Sequence, residues 1–556
     1  MGAGAISAGA YTGGVVDFMV HALDSWYAAK GKNALAPPHE VKLSVMSGAS
    51  AGGITAALAA AYLGSDQPSI ANEEAARANK GANKLFDSWV DRIDISSLLE
   101  HKDLPDKQTP VISLLDSSIL SEIADSGLNV SPRATRRPYV AENFELLLTI
   151  TNLRGVPYAF KVQSDQPARY DMSLHADYMH FRINDSGEDG LPDRYTMSWA
   201  EFGKPSSPLK EKIKVSALAS GAFPIGLAPR TLDHVIPGNG QPDWYGSRLW
   251  PVPTPESDQP HQCVTHESIS VNWGDLSPGY RFDFQCMDGG VMNNEPMELA
   301  RQMLSGSGQR NFRLGERANK AVLLVDPFPS DTSFDSTHKA APDLLTTAMK
   351  LFGALKNQAR FKPDKLMLAA KDDVFSRFMI APSRNGTANA IACGALGGFG
   401  GFLKRDFRSH DYFLGRRNAQ KFFRDHFVLP ETNPLFAEWT DGMKEAHWVR
   451  DDSGQPRKNE AGQRFLPIIP LVGEARPPCY KAEWPRYTTD DLAKLMERIE
   501  SRVDVVLDHL VNQYFKSNNP FVRFVAKIVL GRKKKDVVAL VQQKVTTDLE
   551  KMQLMR

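Results

Sequence analysis

The segment 48–52, Gly-Ala-Ser-Ala-Gly, constrains what this chain can fold into more than any other. It has the pattern G-x-S-x-G and separates two stretches of different periodicity. Residues 41–46 alternate in a way that predicts a strand, and the Ala/Leu-rich run 53–63 predicts a helix that ends at Gly64. A plain turn opening a helix fits the five residues alone. The strand–turn–helix context instead favours an α/β core that presents Ser50 as a nucleophile.

Bulk composition excludes several classes of protein. With 556 residues, of which 42% are hydrophobic, the chain is long enough for one large domain with insertions or for two to three domains. Its 66 basic and 65 acidic residues nearly cancel, which argues against a general nucleic-acid-binding protein. The four cysteines are far apart and form no C-x-x-C, so we expect neither a disulfide framework nor a zinc site.

Targeting signals are not recognisable in the sequence. No stretch of 18 or more apolar residues occurs, and the start lacks the basic and apolar regions of a signal peptide. We therefore expect a cytoplasmic protein or one at a peripheral membrane surface. The apolar run 521–530, followed by the basic residues 532–535, fits a helix lying on an anionic membrane. It fits equally a helix packed on the domain with a solvated basic end.

A serine nucleophile needs a base, and the sequence offers two kinds. Asp288 follows an apolar strand and precedes two glycines, so it could approach Ser50 closely and accept its proton directly. A simple Asp-Gly turn is the competing interpretation. His261 and His266, in the irregular region 232–280, leave a Ser-His-Asp α/β-hydrolase open as an alternative.

The first eleven residues form a loop with few large side chains. Such a loop can aim backbone N–H groups inward, as an oxyanion hole or a phosphate cradle requires. No G-K-[ST] follows, so it is not a P-loop, and no strand precedes it, so it is not a dinucleotide-binding fingerprint.

Loop 4–11, segment 48–52 and Asp288-Gly289-Gly290 together resemble the patatin-like phospholipases in order and spacing. Residues 220–224 resemble the small-residue helix end that this family has between the serine and the aspartate. The resemblance implies a patatin-like three-layer α/β/α core with a mostly parallel central sheet. Two features depart from the family: Ala5 replaces a glycine of the loop, which also lacks Lys or Arg, and no strand precedes the loop.

The resemblance also implies an activity, namely hydrolysis of carboxylic ester bonds in lipids of phospholipase A, lysophospholipase or lipase type. Ser50 and Asp288 would form the catalytic dyad, without metal or cofactor, and the substrate would be a lipid or another ester. The expected oxyanion-hole residues are Gly4, Ala5, Ile6 and Ala51, and the expected motif-supporting glycines are Gly48, Gly52, Gly289 and Gly290. A non-catalytic lipid-binding scaffold with this fold is the alternative from another class.

The sequence predicts that the chain has two regions. Residues 1–330 are predicted to form the catalytic domain, with an irregular insertion at about 232–280. Residues 331–556 are predicted to be a mainly helical extension that serves as a lid or faces a membrane. Within it, residues 400–402 together with segment 405–418 resemble part of the large bacterial patatin-like proteins. We expect its Asp406, His410 and Arg417 either to line a cleft or to form ion pairs on a helix surface.

Overall fold

The computed structural model describes residues 1–3, 6–162, 168–188, 194–238, 243–246, 248–253, 264–269, 271–293, 296–305, 311–328, 371, 373–387, 389–514 and 520–555. Their α-helices are α1 (Gly9–Ala29), α2 (Ala51–Leu63), α3 (Glu73–Ala78), α4 (Lys84–Phe86), α5 (Ile95–Leu98), α6 (Ser118–Leu128), α7 (Pro208–Ser220), α8 (Met297–Ser305), α9 (Ala395–Gly398), α10 (Gly400–Leu403), α11 (Arg405–Asp425), α12 (Asp441–His447), α13 (Thr489–Tyr514) and α14 (Pro520–Lys551). Their strands are β1 (Leu43–Gly48), β2 (Val140–Val162), β3 (Ala168–Asn184), β4 (Tyr195–Ser198), β5 (Arg230–Val235), β6 (Leu249–Pro253), β7 (Val264–Ser268), β8 (Arg281–Asp288), β9 (Val322–Val325), β10 (Arg377–Ile380), β11 (Val428–Pro430) and β12 (Phe465–Pro467).

The long strand β2 organises the main sheet. β3 pairs antiparallel along one edge of β2, as expected for consecutive strands joined by only a few residues. The opposite edge is shared by β1, which runs parallel to β2, and β8, which runs antiparallel to it. β5 pairs with β8, and β4 pairs with β3. The α/β class predicted from the sequence is therefore confirmed, and the sheet contains both parallel and antiparallel pairs.

Helices cover both faces of this sheet. Successive residues of a strand point to opposite faces, and β1 shows the consequence. Val45 packs in an apolar cluster with Met297 of α8 and Leu324 of β9. Its neighbour Met46 belongs instead to the large core formed with α1 and α2. The result is the three-layer α/β/α arrangement that the resemblance implied.

Helix α11 packs tightly against α1, although the two lie almost 400 residues apart in the chain. The backbones of the two helices are in contact at a glycine of each helix. A Cβ at Gly14 would lie 1.9 Å from the Tyr412 carbonyl oxygen, and a Cβ at Gly415 would lie 2.2 Å from the Tyr11 carbonyl oxygen. A Cβ at the neighbouring Gly13 would meet only ordinary contacts, the nearest at 3.5 Å. Part of the predicted helical extension is thus built into the main core, and the boundary at residue 330 stays a prediction.

His39 is a buried histidine that the fold keeps neutral. Trp439 donates its indole N–H to Nδ1 of His39 over 3.1 Å, and Nε2 of His39 lies 3.0 Å from the Ile468 carbonyl oxygen. These partners fix the tautomer with the proton on Nε2. Burial lowers the pKa of His39 from 6.5 to about 4, because the charged ring would lose its hydration.

The two C-terminal helices α13 and α14 pack against each other. Lys534, at the basic end predicted from the sequence, pairs with Glu500 at 3.0 Å and Asp504 at 2.7 Å on α13. The side chains of the apolar run 521–530 lie outside the described residues. In the part of the chain that the structure describes, no helix is both long enough and apolar enough to cross a membrane.

Candidate active site

Ser50 lies at the sharp turn between β1 and α2, as the sequence predicts. Its backbone has φ 54° and ψ −129°, a conformation rare for residues other than glycine. The flanking glycines are needed for space: a Cβ at Gly48 would lie 2.2 Å from the Gly52 carbonyl oxygen, and one at Gly52 would lie 2.2 Å from that of Gly2. Small residues on both sides let three backbone segments meet around a strained serine, which is the geometry of a nucleophile elbow.

Asp288 reaches Ser50 because β1 and β8 end head-on along one edge of β2. β1 ends with Gly48 opposite Leu148, and β8 ends with Asp288 opposite Ile150. The Ser50 hydroxyl consequently donates a hydrogen bond of 2.7 Å to Oδ2 of Asp288. Both residues are 5% exposed, so bulk water screens this contact little.

The other atoms of Asp288 are held in place by the backbone. Its Oδ1 accepts a hydrogen bond from the Gly290 N–H over 2.7 Å, and its own N–H donates to the Ala222 carbonyl over 3.0 Å. Gly289 is required next to it, since a Cβ there would lie 2.2 Å from the Thr149 carbonyl oxygen. One carboxylate oxygen is therefore anchored and the other faces the serine.

Ser220 is a neighbour of Ser50, and sequence reasoning missed the role of its side chain. Its hydroxyl, fully buried at the end of α7, accepts the Ser50 N–H over 3.0 Å. The sequence had marked residues 220–224 by resemblance alone. The contact assigns Ser220 the task of holding the strained backbone of Ser50.

The predicted oxyanion hole is described only in part. Gly4 and Ala5 lie outside the described residues. Ile6 begins a short 3₁₀ helix, Ile6–Ala8, and has φ 45°. Ala51 is the first residue of α2, and no described group accepts a hydrogen bond from its N–H. That N–H, at the positive end of a helix, is the type of donor that stabilises a developing oxyanion.

Residues 1–3 occupy the sheet position for which the sequence showed no strand. The Gly2 N–H donates to the Ser47 carbonyl over 2.9 Å, and the Ala49 N–H donates to the Gly2 carbonyl over 3.2 Å. On the other side, the Ala3 N–H donates to the Val325 carbonyl over 3.0 Å. Three residues are too few to show periodicity, which is why the sequence did not reveal this pairing.

The C-terminal part of the chain also supports the N-terminal loop. The Ser7 hydroxyl donates to the Gly398 carbonyl over 2.5 Å and accepts the Gly401 N–H over 2.9 Å. A Cβ at Gly401 would lie 2.6 Å from the Ser7 hydroxyl oxygen. Sequence reasoning missed this contact, and the glycine-rich run 394–401 was the signal that a close approach occurs there.

The two histidines considered for a Ser-His-Asp site are not among the described partners of Ser50. His261 lies outside the described residues, and His266 belongs to β7, which pairs only with β6 in a separate two-stranded sheet. The described side chains that hydrogen-bond Ser50 are those of Asp288 and Ser220. Nor do the described residues include a group of three or more His, Cys, Asp or Glu side chains placed to hold a metal ion.

Comparisons with known proteins found similarity over most of this chain. A family model described as patatin-like phospholipase matches residues 1–301. An uncharacterized protein of Sinorhizobium fredii, y4iI, is 34% identical over 544 residues, which cover 92% of this chain and 75% of that protein. The similarity to y4iI therefore extends well beyond the region matched by the family model, into the part that holds α11.

Proposed function

The chain belongs to the patatin-like phospholipase family, and from this premise we propose that it is a serine acyl hydrolase that cleaves carboxylic ester bonds of lipids through Ser50 and Asp288. The observation that supports the dyad most directly is the 2.7 Å hydrogen bond between the Ser50 hydroxyl and Oδ2 of Asp288. A serine oxygen held in a strained turn and bonded to a carboxylate is arranged for nucleophilic attack.

The proposed reaction has two halves. Ser50 Oγ attacks the ester carbonyl carbon while its proton passes to Asp288 Oδ2, and the carbonyl oxygen becomes an oxyanion. When the tetrahedral intermediate collapses, the carbon–oxygen bond to the leaving alcohol breaks and Asp288 returns the proton to that alcohol. Water then attacks the acyl-enzyme, giving its proton to Asp288. In the second collapse the bond between Ser50 Oγ and the acyl carbon breaks, and Asp288 returns the proton to Oγ. The fatty acid then leaves.

Backbone donors would stabilise both oxyanions. The Ala51 N–H points from the start of α2, and the loop of Gly4, Ala5 and Ile6 is proposed to supply the others. Each donor of this kind is typically worth about 3 kcal/mol of activation free energy. Ser220 fixes the orientation of the Ser50 N–H, so that the turn keeps its shape during attack.

Substitution of Ser50 tests this proposal. We expect Ser50→Ala to lower kcat/KM for a short-chain nitrophenyl ester by roughly 10³-fold or more, with unchanged thermal unfolding. The wild type should also react covalently with a fluorophosphonate, and the variant should not. Turnover by the variant near the wild-type rate would refute the assignment. An inactive wild type on a panel of lipid and soluble esters would favour the scaffold alternative.

An exposed apolar rim, connected through the chain to the backbone partner of Asp288, supports lipids as the substrate class. We define the rim by Ile112, Leu114 and Ile225, whose side chains are 63%, 49% and 71% exposed. Ile225 lies three residues after Ala222, the backbone partner of Asp288. It has φ 68°, a conformation that β-branched residues rarely adopt. A strained isoleucine exposed to water is unfavourable unless something apolar covers it.

The rim is held rigidly by polar contacts beneath it. The Leu114 N–H donates to the Ile225 carbonyl over 2.9 Å, joining the two loops. From α13, the buried Arg502 donates to the Leu114 carbonyl over 2.8 Å and pairs with Asp103 at 2.6 Å. We propose that this preformed surface contacts the lipid–water interface, where each side chain would gain about 1 kcal/mol on leaving water.

The role of the rim is tested by comparing hydrolysis of phospholipid in vesicles with hydrolysis of a soluble ester. We expect Ile225→Ser combined with Ile112→Ser to lower hydrolysis of phospholipid in vesicles at least fivefold, while kcat/KM for a soluble ester changes less than twofold. Leu314→Ser is the matched control, because Leu314 is 61% exposed and lies in the loop before β9. Equal losses on both substrates, or an equal loss in the control, would contradict a role at the interface.

A further inference from the structure

A pocket built by residues outside the dyad lies beside α11. It has a volume of about 220 Å³ and is lined by Arg384, His410, Arg417, Lys481 and Trp484, among others. His410 and Arg417, two of the three residues that the sequence placed in a cleft, lie in this pocket at positions two helical turns apart. The third, Asp406, is exposed and is not part of the lining.

The arginines of α11 show why Arg417 stands out. Arg405 pairs with Glu73 at 3.3 Å and with Asp91 at 2.7 Å, and the buried Arg416 pairs with Asp17. Within the described part of the chain, Arg417 has no ion-pair partner. Arg405, Arg408 and Arg416 thus hold the helix on the core, whereas Arg417 lines the pocket.

Two further basic side chains face the same space. Arg384 lies over the Trp484 ring, 3.7 Å from its centroid. It donates from Nε over 3.2 Å and from Nη2 over 2.9 Å to the Asn389 carbonyl, which leaves its Nη1 donors for a ligand. Lys481 is exposed, and no described carboxylate pairs with it. Glu483 contributes the one acidic side chain of the lining, so three permanent cations face one anion. Burial lowers the pKa of Arg384, since it removes water from the guanidinium.

His410 adds an oriented imidazole. Its Nδ1 lies 2.7 Å from Oδ1 of Asp411, whose carboxylate also accepts the N–H groups of Ala392 over 2.9 Å and Cys393 over 2.8 Å. A carboxylate anchored in this way keeps the Nδ1 proton in place and fixes the ring. Among the described residues, no partner is bonded to the second ring nitrogen, Nε2.

A basic groove leads to this pocket. The groove shares Asn385, Arg417 and Lys481 with the pocket, and its described lining contains eight basic and three acidic side chains. A concave surface of one charge raises the local concentration of oppositely charged ligands. The groove would therefore draw anions toward the pocket.

We propose that the pocket of Arg384, Arg417 and Lys481 binds a phosphate group, carried as a monoester. The guanidinium fork of Arg417, the Nη1 donors of Arg384 and the ammonium of Lys481 match the three terminal oxygens of such a group, and its two negative charges balance the net charge of the lining. The volume exceeds what inorganic phosphate fills, which leaves room for the first atoms of the group that carries it. This inference does not depend on the proposed hydrolase activity.

Calorimetric titration of the full chain at low salt tests the proposal, with inorganic phosphate and glycerol 3-phosphate as soluble probes. We expect Arg417→Gln combined with Lys481→Gln to weaken binding at least tenfold. The control is Lys458→Gln, because Lys458 lines the groove and not the pocket. It should change binding less than twofold. The substituted side chains are accessible to solvent, so the variants should unfold at the same temperature as the wild type.

Vesicle sedimentation distinguishes the source of the phosphate. Binding to vesicles with phosphatidic acid, but not to vesicles with equally charged phosphatidylglycerol, would assign the site to a lipid monoester headgroup. Binding of the soluble probes alone would assign it to a free phosphate. The proposal is overturned if neither binds, or if the double variant binds like the wild type. It is also overturned if Lys458→Gln weakens binding as much as the double variant does, both for these probes and for a test oligonucleotide. The charge of the groove alone would then explain binding.

Discussion

Replacement of Asp288 by asparagine is the sharpest test of the proposed chemistry, because the structure predicts how the new side chain would lie. Oδ1 of Asp288 accepts the Gly290 N–H over 2.7 Å, and an amide oxygen can keep that bond. The amide NH₂ must then occupy the place of Oδ2, 2.7 Å from the Ser50 hydroxyl. Asp288→Asn therefore keeps the shape of the site, while the serine faces a donor in place of a base.

The expected loss is that of a general base. Removing such a group typically costs 10²- to 10⁴-fold in rate. We expect the upper end, about 10⁴-fold in kcat/KM, because the two residues are both 5% exposed and no described histidine side chain bonds to Ser50. At 1.36 kcal/mol for each factor of ten, this corresponds to about 5 kcal/mol of activation free energy.

The assay is hydrolysis of a soluble nitrophenyl ester by freshly prepared protein. Asp288→Asn creates an Asn-Gly pair with Gly289, which deamidates easily, so the mass of the variant is checked and Asp288→Ala is measured beside it. Asp283→Asn is the matched control, because Asp283 lies on the same strand and is exposed. Activity within threefold of the wild type in intact Asp288→Asn would refute the carboxylate as base.

The remaining predictions concern packing, pH and positioning. Gly14→Ala should lower the free energy of unfolding by about 3 kcal/mol through overlap with a facing carbonyl, and Gly13→Ala should change it by less than about 1 kcal/mol; equal effects in urea melts would contradict the close crossing. The pKa of His39 is about 4 in the folded protein, against 6.5 for an ordinary histidine. Its contribution to the free energy of unfolding is therefore complete above pH 6.5 and falls by roughly 3 kcal/mol as the pH drops to 4. His39→Gln should remove that part of the pH dependence of unfolding, and an unchanged slope would argue against a buried neutral ring. Ser220→Ala leaves the buried Ser50 N–H without its acceptor, and we expect roughly a tenfold lower kcat with unchanged KM; full activity would show that the contact does not position the nucleophile.

Features encoded over short distances could be predicted from the sequence. The alternating residues before Ser50 and the Ala/Leu run after it gave β1 and α2 to within two residues of their observed bounds. The helix end at Gly64 and the strand before Asp288 were also placed correctly. These elements were predictable because periodicity and glycine placement act within one or two turns of chain.

Features that depend on a partner far along the chain could not be predicted in this way. The sheet is mixed because of how β2 pairs with β3 and β8, and no local pattern records the direction of a neighbouring strand. The three residues before the glycine loop complete the sheet, yet they are too short to show a period. The Ser7 contact with Gly398 and Gly401 likewise joins segments almost 400 residues apart.

By itself, the sequence determined that Ser50 stands in a glycine-flanked turn between a strand and a helix, because only small residues permit that backbone. The resemblance to known hydrolases then selected Asp288 as its partner. Only the tertiary structure decided that the two meet, across 238 residues of chain. The physical reason is the register of β1 and β8 on β2: both strands end at neighbouring positions of one edge, and that register is set by packing of the whole sheet.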